Sequence, residues 1–153
     1  NIMKKGQSAL EFLMTYGWAI LIIIIVVGVA YAMGLTQPCK WVGTQISQFS
    51  DFKIENPKFT VTPSSLAFDM ASPKQTVSVT TISVSGDGTG NTVSPALPKN
   101  QGTTAARYTV TLSSVKPAAN TCYSADVVIS YSISVAGGLE NYTSAGKLSG
   151  VAT

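Results

Sequence analysis

Hydrophobic positions follow two different patterns along this chain, and the change comes near residue 34. Residues 12–33 are almost uniformly apolar, and no charged residue occurs between Glu11 and Lys40. A helix needs roughly 20 mostly apolar residues to cross a bilayer's hydrocarbon core, and this stretch meets that length. Within it, residues 21–27 read LIIIIVV and present no polar face. A helix that is apolar all round requires apolar surroundings on every side, from lipid or from protein. Ser8 and Glu11 have the S-x-x-E spacing of a capping box, which predicts Ser8 as N-cap and Glu11 at the third helical position. Gly34 followed by Pro38 predicts the stop. A cleaved secretory signal fits poorly, because the apolar run is too long and no clean A-x-A site follows it.

After the apolar stretch the period becomes two. In residues 125–135, Val127, Ile129, Tyr131, Ile133 and Val135 fall on one face, and Asp126, Ser130, Ser132 and Ser134 on the other. That alternation predicts a half-buried strand. Residues 76–84 also alternate, but Val77 and Val79 are out of phase with Ile82 and Val84, which places a bulge or bend at Thr80 and Thr81. Tyr108, Val110 and Leu112 form a third set. Residues 59–62, 66–69 and 141–148 are weaker strand candidates, and 86–90 (GDGTG), 95–102 and 137–138 punctuate them as turns. Short strands between turn signals suggest an all-β sandwich. The predicted class is therefore α+β. A long N-terminal apolar helix (1–34) leads through a short stiff neck (35–45) into an exterior β-sandwich (46–153).

Composition narrows the chemistry. The 153 residues carry a net charge of +3 with only 11% charged residues, and no basic patch interleaved with aromatics. No nucleic-acid partner is expected. Histidine is absent and there are two cysteines, so the usual zinc ligand sets and histidine-based acid–base mechanisms cannot be built. The seven acidic residues are scattered, and no P-loop, nucleophile elbow or dinucleotide fingerprint occurs. Neither an enzyme nor a cofactor is expected. Asp87, between glycines, invites a calcium or phosphate reading, but a solvated turn is the simpler one. If the β-domain is exported, Cys39 and Cys122 read as one disulfide that pins the neck to the sandwich; otherwise they are two unrelated buried thiols. Asn141-Tyr142-Thr143 is an acceptor sequence for N-glycosylation.

The order KKG-QSALEF followed by a long apolar helix resembles the class III signal of archaeal type IV pilins. The resemblance covers about the first thirty residues. It implies the pilin architecture, an apolar helix joined to an immunoglobulin-like exterior domain. It also implies cutting between Gly6 and Gln7 by a prepilin peptidase, although the chain as given runs from Asn1, which suggests a mature chain starting there. The helix would rest first in the cytoplasmic membrane. A secretion ATPase and a platform protein would then extract it, and many copies would bundle as the core of a cell-surface filament that serves adhesion. Glu11 falls where pilins commonly hold a glutamate that pairs with a terminal amine; Lys4 or Lys5 is a substitute partner. Leu21, Ile24, Gly28 and Gly34 are the candidate assembly residues, with Ala30 and Gly34 as a small-xxx-small pair and Gly17 and Gly28 as further sites of close approach. The alternative is a single-span membrane protein whose β-domain binds a ligand or partner at the surface.

Overall fold

The computed structural model describes residues 3–47 and 49–153, with side chains from Ala9 onward. The chain divides into two compact units, Asn1–Pro38 and Cys39–Thr153.

The first unit is dominated by helix α1, Met3–Ala32. It begins five residues ahead of Ser8, so Ser8 lies inside the helix and the capping box is not its start. The Lys-Lys-Gly-Gln segment holds no proline, and one glycine costs a helix only about 1 kcal/mol, too little to end it. The side chain of Ser8 and the proposed Glu11 partners Lys4 and Lys5 lie outside the described residues. At the other end the chain stops where the glycine predicts. The Gly34 N–H donates to the Tyr31 carbonyl at 3.0 Å and the Leu35 N–H to the Ala30 carbonyl at 3.1 Å, while Gly34 adopts φ 72°. These two bonds form a Schellman motif, whose left-handed residue is least costly as glycine.

The second unit opens with a one-turn helix, α2 (Cys39–Val42), and is otherwise β-structure. In chain order the strands are β1 (Gln45–Ile46), β2 (Lys53–Thr60), β3 (Ser65–Ala71), β4 (Val77–Gly86), β5 (Gly88–Thr89), β6 (Thr92–Ser94), β7 (Lys99–Gln101), β8 (Ala106–Thr111), β9 (Ser114–Val115), β10 (Cys122–Val135) and β11 (Gly138–Val151). All pairings are antiparallel. One sheet has the order β1-β11-β10-β4-β7, the other β2-β3-β8-β6, and β5 and β9 form a short ribbon. Inward residues of both larger sheets belong to one core: Val79, Ile82, Val127, Ile129 and Tyr131 from the first, and Phe59, Leu66, Phe68, Tyr108 and Val110 from the second.

The phase change in β4 has a cause. Ser130 pairs with Thr81 and Tyr131 with Val79, which leaves Thr80 as an extra residue. Its hydroxyl donates to the Ser130 carbonyl at 2.9 Å. One inserted residue lets Val77, Val79, Ile82 and Val84 all point inward.

Two stretches expected to be turns are more than that. Residues 95–102 contain β7, and Gln101 within it is buried. The Tyr108 hydroxyl donates to Gln101 Oε1 at 2.9 Å, and Gln101 Nε2 donates to the Thr104 carbonyl at 2.7 Å. A buried amide is tolerated when its bonds are filled this way. The GDGTG stretch is a tight crossing. A Cβ on Gly90 would lie 2.2 Å from the Thr111 carbonyl oxygen, so only glycine fits.

Candidate functional site

The candidate assembly residues lie on α1 or at its end. Gly17, Leu21, Ile24 and Gly28 recur at i, i+4, i+7 and i+11, a spacing that sets them on one helix face. Glu11 lies about a third of a turn away from that face. Gly34 follows the helix as its left-handed C-terminal residue. The span Ala9–Ala32, 24 residues long, has the length and composition to cross a membrane, and none of its apolar window is buried within the chain. Leu21 and Ile24 are exposed. A Cβ on Gly17 or Gly28 would meet nothing within 4 Å. Two mid-helix glycines thus weaken the helix by about 1 kcal/mol each without answering any contact among the described residues.

Along the sequence, no charged residue follows Glu11 before Lys40. Its carbonyl accepts the Thr15 hydroxyl at 2.9 Å, the usual back-bond of a helical threonine. Gly6 and Gln7 fall within the α1 backbone, and their side chains lie outside the described residues.

Cys39 and Cys122 form a disulfide across a sequence separation of 83, with Cα atoms 5.6 Å apart. It joins α2 to the first residue of β10, so the chain segment leaving Pro38 is stapled to the β-domain. Bonds from β1 reinforce it: Gln45 and Ile46 pair with Ser149 and Leu148, and the Ser47 N–H donates to the Lys147 carbonyl at 2.9 Å. The second half of the expected neck therefore packs as part of the β-domain.

Asn141 is exposed on β11, opposite Ser132. Thr143 of the same triplet is exposed too, so both residues a glycosylating enzyme would touch face solvent.

Asp87 is a building element. Its Oδ2 accepts the Ser124 N–H at 2.8 Å, its own N–H donates to the Ser124 carbonyl, and its carbonyl accepts the Lys116 N–H. It ties three segments together, which replaces the solvated turn read from the glycines around it. Among the described residues, no group of three His, Cys, Asp or Glu side chains converges to hold a metal ion.

Sequence reasoning missed a surface network at Asp69. The Asn56 amide donates to Asp69 Oδ2 at 2.9 Å, and Arg107 Nη1 lies 3.0 Å from Oδ1. The Asn56 hydrogen bond and the Arg107 charge together hold the carboxyl below its ordinary value. Asn56 reaches it from the irregularity between Glu55 and Lys58, where it adopts φ 48°. Asn-Pro in a strand sequence is the one cue that was available.

No protein-family model matches this chain, and no curated protein sequence matches it.

Proposed function

We propose that the chain is the structural subunit of a cell-surface filament of the archaeal type IV pilus kind, with an immunoglobulin-like sandwich as its exterior domain. One observation carries this reading: a membrane-length apolar helical span, none of whose apolar window is buried, holds two glycines, Gly17 and Gly28, beside which the described residues leave open space. Lipid satisfies the apolar surface before assembly. After assembly, neighbouring helices satisfy it and make use of the glycines, since small residues let backbones approach closely. A repeated head-to-tail contact whose rotation does not close then yields an open helical polymer.

The stapled junction supports the same reading. A filament transmits force between core helix and outer domain through residues 35–45, and the Cys39–Cys122 bond fixes the β-domain end of that path. In this scheme a prepilin peptidase acts at Gly6–Gln7, a secretion ATPase and platform protein drive extraction, Glu11 pairs with a cationic group of the same or a neighbouring copy during docking, and Asn141 carries a glycan on the outer surface. The filament serves adhesion.

Negative-stain microscopy of sheared cell-surface material, with mass spectrometry of the purified filaments, tests the proposal. Filaments built from this chain are the expected result. Their absence, with the chain recovered intact in the membrane fraction, leaves the single-span binding protein as the reading.

A further inference from the structure

The β10–β11 hairpin outruns its neighbours. β4 accompanies β10 only from Ala125 to Ser132, and β1 accompanies β11 only at Leu148 and Ser149. Among the described residues, 138–146 of β11 therefore have a strand on one side only. Of these, 138–143 form a bare edge roughly 20 Å long at the usual rise per residue; beyond it Ser50 reaches Ser144 and the Phe49 ring lies against Gly146. Natural edges are blunted by lysine, proline or bulges. Here the edge has no proline, its sole charge is Glu140, and it exposes Leu139 and Tyr142.

The opposite edge of the same sheet is β7. Tyr142, Tyr131, Val79 and Lys99 lie in one row across the four strands β11, β10, β4 and β7. Three successive antiparallel pairings separate β11 from β7, so the two edges run in opposite directions. A second copy displaced sideways along the hydrogen-bonding direction would therefore present its β7 antiparallel to the first copy's β11.

Charge separates this arrangement from a two-fold pairing of β11 with itself. Glu140 shares the sheet face of Ile133, its cross-strand partner, and Lys99 shares the face of Val79. Ile133 and Val79 point to the same side, because both alternate in step with Tyr131. A register shifted by two residues from the shared row keeps the same hydrogen-bonding class. It sets Glu140 directly opposite Lys99, and Leu139 opposite Asn100. A two-fold β11 pairing offers Glu140 no such cation within that stretch.

We propose that the β11 edge of one copy binds the β7 edge of a second copy, joining their sheets head to tail with Glu140 beside Lys99. The contact is strand addition, in which backbone bonds give affinity and side chains give register. It repeats without closing. With three residues in β7 it is short, and it acts where the apolar helices already hold copies close and raise their effective concentration. It goes beyond the filament reading, because neighbours in one bilayer suffice to form it.

The test uses the full chain in lipid vesicles, carrying Leu139→Cys together with Asn100→Cys. Cys39 and Cys122 are already bonded to each other and do not interfere. Mild oxidation should give a ladder of dimers, trimers and longer species on non-reducing gels, and each single variant should stay monomeric. Dimers from Leu139→Cys alone, equal to those of the pair, would overturn the proposal in favour of two-fold pairing. Monomers throughout would overturn it outright. Adding Glu140→Lys to the pair should cut the ladder about threefold, as expected for an exposed ion pair, and Lys99→Glu on top should restore it. An unchanged ladder with Glu140→Lys would refute the register. Filaments without a ladder would remove this contact and leave the filament reading intact; a ladder without filaments would do the reverse.

Discussion

Ile24 and Ile129 are the same side chain in opposite situations. Ile24 is 66% exposed and Ile129 is fully buried. Burying an isoleucine is worth about 1.5–3 kcal/mol. The β-domain collects that gain internally, through both sheets and one shared core. Helix α1 collects none of it within the chain and must obtain it from lipid or from other copies. One chain therefore holds a self-sufficient folding unit and a unit whose stability is borrowed from its surroundings. Changes in the first should read out as unfolding, and changes in the second as failed insertion or assembly.

The sharpest break of that comparison is the disulfide. With its cysteines 83 positions apart in sequence, it is worth about 4–5 kcal/mol in the chain-entropy model. Reduction should lower the β-domain's Tm by more than about 10 °C. In detergent, the helical signal of α1 in circular dichroism should persist through that transition. Simultaneous loss of helix and sheet signals would show that the two units are not independent.

A matched pair of truncations comes next. Phe68 is fully buried, and Phe68→Ala should cost the β-domain about 3–5 kcal/mol. Leu21→Ala removes a comparable apolar group from α1 and should leave the calorimetric transition of the β-domain unchanged. A Tm drop with Leu21→Ala would mean that α1 supports the domain's fold.

What could be read in advance follows the same division. The long helix was legible because a uniform apolar run leaves little choice, and Gly34 marked its end because a left-handed residue favours glycine. The strand alternation around Ile129 and the phase slip at Thr80 were legible because each residue's face is set by a period of two. Local patterns misled where distant groups decide. Ser8 matched a capping spacing, but nothing ahead of it was strong enough to stop the helix. Gln101 and Asp87 looked like turn residues, but pairing with Val77 makes Gln101 part of a strand, and Ser124 and Lys116 engage Asp87. Ile133 and Val135 fit the buried face of β10 by pattern, yet Val135 is exposed because the hairpin extends past its neighbours. No alternation pattern records where an opposing sheet ends.

Gly28→Ile sharpens the comparison from the side of α1. Space at Gly28 is open within the chain, and isoleucine raises the apolarity of the span. Membrane insertion should be unaffected, while a bulky side chain on the Gly17–Gly28 face should lower filament yield about tenfold, equivalent to about 1.4 kcal/mol per contact. Equal yield of wild type and variant, counted by microscopy of sheared material, would remove that face from the assembly contact.

The smallest expected effect lies in the core, at Tyr123. Its ring stacks on Phe59 with centroids 4.6 Å apart, but its buried hydroxyl has no hydrogen-bond partner among the described residues. Burial pushes its pKa up to about 12; Tyr131 rises to about 12 as well, through burial and then the nearby Asp51 carboxylate. A raised pKa means that the fold favours the neutral phenol. The stability linked to it is complete below the ordinary tyrosine value of 10 and is lost as pH climbs toward 12. Denaturant midpoints of the β-domain should therefore fall between pH 10 and 12. Tyr123→Phe keeps the ring stack and removes the unpartnered hydroxyl, so at pH 7 stability should stay level or rise by up to about 1 kcal/mol. The same variant should flatten part of the alkaline fall and leave the Tyr131 share. A clear loss of stability at pH 7 would show that the Tyr123 hydroxyl has a partner, and the core would then owe more to polar bonding than to packing.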